Sequence, residues 1–147
     1  MLLGAIGAGA VIGAFALRAN ASVGADGIVS VGTVVTALAL ALFAVAGDLA
    51  IALAACVLAG ISWIAVIATL NVSAQLALPA WVRGRGLAIF ATVQFAGLAI
   101  GSAVWGRVAQ AIGLPAAHTI AAIALVALVP LLRRWRLQTG DMKVDWM

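Results

Sequence analysis

Gln75-Leu-Ala-Leu-Pro-Ala-Trp-Val-Arg-Gly-Arg-Gly-Leu-Ala88 is the only stretch that sets two arginines between two long apolar runs. Pro79 ends the first run, because its ring clashes with the preceding helical turn and it has no N–H to donate. Trp81 carries the amphipathic ring that settles at a membrane–water boundary. Arg83 and Arg85 would each cost about 2.5–3.5 kcal/mol at the centre of a membrane helix, so the residues from Pro79 to Gly86 are predicted to form a turn in water. Gly84 and Gly86 allow that turn to be tight. The chain must cross a bilayer to reach this side and cross it again to leave.

The composition agrees. Of the 147 residues, 67% are hydrophobic and 8% are charged. A soluble surface needs roughly a quarter of its residues charged. The formal charge of +4 raises the question of nucleic acid, but the basic residues stand at the ends of apolar runs, where they act as topology signals. No nucleic-acid partner is expected. Cys56 is the sole cysteine and lies inside an apolar run. That rules out an intrachain disulfide and a cysteine-rich metal site, and leaves a small buried hydrophobe. Met1 leads straight into apolar residues, without the basic start of a signal peptide.

A helix needs about 20 apolar residues to cross about 30 Å of hydrocarbon. Five runs qualify or nearly qualify: 2–17, 28–47, 49–78, 87–106 and 114–132. The third is long enough to tilt or to project from the hydrocarbon. Pro115 suits the first turn of the fifth. Lipid tolerates no open sheet edge and five spans close no barrel, so each run is predicted to be a helix. The expected organisation is an all-α polytopic membrane domain over 1–132, followed by a basic tail over 133–147.

Alternating the sides of the membrane puts Arg18, Arg83, Arg85 and the tail residues Arg133, Arg134, Arg136 and Lys143 on one face. Only Arg107 is left on the other. Basic residues accumulate on the cytoplasmic side, so the Pro79–Gly86 turn and the C-terminus are expected there. Met1 then lies on the outer side at the very start of a span. This suggests that an N-terminal part of the protein precedes the chain.

Several polar residues inside the runs are candidates for function. Trp63, Ile67, Asn71 and Gln75 recur at intervals of four and share one helix face. The stripe passes from aromatic to apolar to polar, which suits the wall of an aqueous cavity that accepts amphipathic molecules. Interhelical hydrogen bonding fits the same residues. Gln94 is the one strongly polar side chain near the middle of the fourth run, and it either bonds a neighbour or faces a solvated path. Gly97 and Gly101 are four apart and would let another helix approach closely. The first run, with Gly4, Gly7, Gly9 and Gly13, reads as a packed or flexible interface helix. No Asp, Glu, Lys, Arg or His lies mid-run, and His118 falls near the outer end of the fifth span. No catalytic pair, triad or metal cluster assembles, so neither an enzyme nor a cofactor is expected.

The residues from Asn71 to Ala88, followed by the Gly97-x-x-x-Gly101 helix that ends Gly101-Ser-Ala-Val-Trp-Gly106, resemble the major facilitator superfamily. The likeness is to its bacterial efflux branch of enterobactin-exporter-like proteins, called transmembrane secretion effectors. That resemblance implies a twelve-helix fold in two halves, of which the five runs match helices eight to twelve. It implies a bacterial inner membrane and a missing N-terminal half as partner. It also implies outward transport of small amphipathic molecules or siderophores by alternating access around a midplane site. Arg83 and Arg85 would then either latch the cytoplasmic side or only set topology. The rival reading is a small structural or assembly membrane protein that works through helix–helix contacts with no substrate.

Overall fold

The computed structural model describes residues 1–19 and 23–132. They form five α-helices: α1 (Leu2–Ala19), α2 (Ala25–Val45), α3 (Leu49–Leu76), α4 (Arg83–Ile112) and α5 (Leu114–Leu132). The described residues contain no strand, and all five helices are long and apolar enough to cross a membrane. The basic tail expected over 133–147 lies outside the described residues.

Local chemistry sets the helix ends. The Asp48 carboxylate caps α3 by accepting the Ile51 N–H at 2.8 Å, a contact worth about 1 kcal/mol. Gly113 separates α4 from α5 at φ +86°, a conformation that a side chain would strain. Its N–H closes the last turn of α4 on the Ala109 carbonyl at 2.9 Å.

The fourth helix differs from expectation at both ends. It begins at Arg83, so the two arginines stand in its first turn and the corner is confined to residues 77–82. Gly86 donates its N–H to the Val82 carbonyl at 2.9 Å, which shows the backbone already helical there. Gly86 lies within the helix rather than in the turn expected of it, and the end of the Leu78 side chain rests against it. At the other end α4 runs through Arg107 to Ile112. Arginine is a good helix former, and leaving the hydrocarbon does not require the helix to stop. At 30 residues α4 is about 45 Å long, which exceeds the hydrocarbon core.

Packing follows the small residues. Helix α3 lies between α1 and α2, α2 continues onto α5, and α4 touches α5 along part of its length and α3 only slightly. At the α1–α3 crossing the two backbones meet. A Cβ on Gly60 would overlap the Ile6 carbonyl, and one on Gly9 would overlap that of Val57. Gly13 faces Ile61 and Ile64 in the same way. Lipid tails are as apolar as leucine, so such close van der Waals contact, rather than water exclusion, holds membrane helices together. Between α2 and α3 a polar contact adds to this. The Thr36 hydroxyl donates to Ser62 Oγ at 3.0 Å, and Ser62 donates in turn to the Ala59 carbonyl at 3.1 Å. A bond of this kind contributes about 0.6 kcal/mol. Cys56 is buried and free.

Candidate functional site

Two places carry polar groups within the apolar scaffold. The first is the stripe along α3. Trp63 is 51% exposed, and Gln75 at the far end is also exposed. Asn71 lies half-buried between them and donates its Nδ2 hydrogen to the Ile67 carbonyl on its own helix at 2.8 Å. That bond satisfies one donor of the amide and leaves its carbonyl oxygen available. A recess of about 310 Å³ between α1, α2 and α3 includes Ser62 and Ala65 but not Trp63. Trp63 is some 200° around the helix from Ala65, so the stripe and the recess occupy opposite faces of α3.

The fourth helix behaves unlike the others. None of its residues is buried. Gln94 is half-buried, and a Cβ on Gly97 or Gly101 would meet nothing within 4 Å. The structure therefore does not bring the two glycines against another helix of this chain. At the start of α4, Arg83 donates from Nε to the Leu78 carbonyl at 3.4 Å, just past the end of α3. A cation belongs there electrostatically, because carbonyls at a helix C-terminus carry partial negative charge. Arg85 and Gly84 are exposed, and Trp81, 86% exposed, stands at the same corner.

The second place was not legible in the sequence. A crevice of about 580 Å³ opens between α4 and α5, with Leu40 of α2 also in its lining. Trp105 and His118 line it. His118 Nδ1 lies 2.7 Å from the Leu114 carbonyl, and its ring centroid is 5.7 Å from that of Phe43. The sequence puts His118 near the outer end of the fifth span and Trp105 in the motif that ends the fourth run, and nothing in it joins the two. The available signal was the run of alanines at 117, 121 and 124, which leaves one stripe of α5 shallow. Among the described residues no group of three or more His, Cys, Asp or Glu is placed to hold a metal ion.

These features define a multi-pass membrane protein in contact with the bilayer. Its helices match a protein-family model described as transmembrane secretion effector over residues 1–145, and the chain belongs to that family, a transporter branch of the major facilitator type. No curated protein and no solved structure matches the chain. Family membership makes this a membrane transport protein with a secretion or efflux role.

Proposed function

We propose that the chain supplies helices eight to twelve of a twelve-helix efflux permease, which exports small amphipathic molecules, siderophores among them, across a bacterial inner membrane. Its two halves would rock around a site at the bilayer midplane. The observation that carries this reading is α4: a helix of 30 residues with no buried residue, bearing Gln94, Gly97 and Gly101. A transmembrane helix left this open within its own chain is suited to meeting another half. Gly97 and Gly101 then provide the close approach, and Gln94, with Trp63, Asn71 and Gln75 of α3, provides polar and aromatic contacts for an amphipathic substrate. The C-terminus and the Arg83/Arg85 corner face the cytoplasm, where the two arginines latch the closed side.

Cysteine chemistry tests it. Cys56 is buried and is the only thiol, so a Cys56→Ala background is silent. In the transporter completed by its N-terminal half, Gln94→Cys should react with a water-soluble maleimide, and transported substrate should slow that reaction. Protection from the reagent in every transport state would remove Gln94 from the pathway.

A further inference from the structure

We propose that the crevice between α2, α4 and α5 binds a single-chain amphipath: one unbranched apolar chain ending in a hydroxyl group. The inference stands apart from the transport reading, because it concerns occupancy of the crevice alone.

The shape comes first. Ala117, Ala121 and Ala124 leave a trough along α5, and the volume of about 580 Å³ falls within the range of small-molecule sites. The trough runs from Leu114 to Leu128, fourteen positions apart, which corresponds to about 21 Å of helix rise. A long shallow slot of this form fits an extended chain better than a compact ring system.

The polar groups lie toward one end. His118 and Trp105 are the only lining side chains that can form a hydrogen bond; His118 stands about one turn into α5 and Trp105 about two turns before the end of α4. The Leu114 carbonyl can only accept, so the bond at 2.7 Å requires the proton on His118 Nδ1. An imidazole that carries its single proton on Nδ1 offers Nε2 as an acceptor. The Trp105 indole N–H is a donor and nothing else. A hydroxyl needs one acceptor and one donor, and this pair supplies one of each. Beyond them the lining toward Leu128 is wholly apolar, so the head is placed toward the α4–α5 turn and the tail toward Leu128. A phospholipid tail entering from the bilayer would fill the trough but would set only methylene groups against His118 Nε2 and the Trp105 indole N–H.

Trp105 is its own reporter. With Trp63, Trp81, Trp135 and Trp146 changed to Phe, the chain is reconstituted in phosphatidylcholine vesicles and its fluorescence is quenched by three brominated probes. These are a sixteen-carbon primary alcohol, the matching alkane, and phosphatidylcholine brominated on its tails. Quenching by the alcohol should saturate at a mole fraction at least about fivefold below that needed by the other two. His118→Leu should shift the alcohol curve toward the alkane by roughly threefold to tenfold, the scale of one hydrogen bond. His118→Gln keeps an acceptor and should restore it, and Ala121→Phe should abolish the saturable phase. Equal, unsaturable quenching by all three probes would mean that bilayer tails fill the crevice and would overturn the proposal. Shielding of Trp105 from every probe would mean that another helix covers it, and would overturn the proposal equally. Should the single-tryptophan chain fail to fold, native mass spectrometry of the unaltered chain decides. A one-to-one complex with the alcohol, absent for the alkane and for Ala121→Phe, supports the site, and no complex refutes it.

Discussion

Gly60 shows what a single residue does in this bundle. It has no side chain to contribute, yet it sits where α1 and α3 come closest, and a Cβ there would meet the Ile6 carbonyl and the Ala10 nitrogen. Gly9 makes the reciprocal approach to Val57. A side chain at either point forces the helices apart and removes the contacts along the whole crossing, since those contacts depend on distance rather than on shape. Gly60→Val is therefore expected to cost about 1–3 kcal/mol, the range for an overpacked interior. Gly84→Val should cost far less, because a Cβ there meets nothing. Thermal unfolding in detergent, followed by loss of helical signal, compares the two. Equal effects would show that the α1–α3 crossing is not close in the folded protein. The sequence marked the first run as an interface by its glycine density. It could not name the partner, because a glycine permits close approach without specifying what approaches.

At the scale of an element, the corner from Ala77 to Val82 joins two helices whose ends carry opposite partial charge. Arg83 bonds across it to the Leu78 carbonyl, and Arg85 follows in the first turn of α4. A cation favours the carbonyl end of α3 and disfavours the N–H end of α4, so the net effect of the pair on helix stability is small. If the pair sets topology, it acts through insertion, since a basic residue at the membrane surface favours the cytoplasmic side. Changing both to Asp in the complete transporter should reverse that preference and lower the amount inserted several-fold, measured as membrane-fraction protein. Normal insertion with lost transport would assign them to the latch instead. The position of this corner was legible in Pro79 and Trp81, but the start of α4 was not. Gly84 and Gly86 look like turn residues, whereas both lie in the first turn of α4, and Leu78 reaches across the corner to Gly86. Packing across the corner sets that contact, and no local pattern records it.

The whole molecule is a chain of neighbours, α1 beside α3, α3 beside α2, α2 beside α5, with α4 loosely attached at the end of the series. The number of helices and their approximate extents were legible, because hydrocarbon thickness sets a length and charges mark the ends. The pairing was not, since apolar residues on a membrane helix face lipid and protein alike. The sequence offered its candidate site residues only separately, with Trp63, Asn71 and Gln75 on one helix and Gln94 on another, because spacing places residues on a helix face and says nothing of which faces meet. The open face of α4 is the feature that distinguishes the two readings of the protein. If it receives the N-terminal part of a transporter, then seven-helix N-terminal parts from the same family, produced as separate polypeptides, should copurify with this chain in equal amounts. Gly97→Leu together with Gly101→Leu should reduce that recovery at least about fivefold, equivalent to about 1 kcal/mol, without changing insertion of the chain itself. If the face instead joins two copies of this chain, the protein alone should run as a dimer that the same substitutions dissolve, and added N-terminal half should make no difference. That second result would favour an assembly protein over an exporter, and it would do so through the same two glycines.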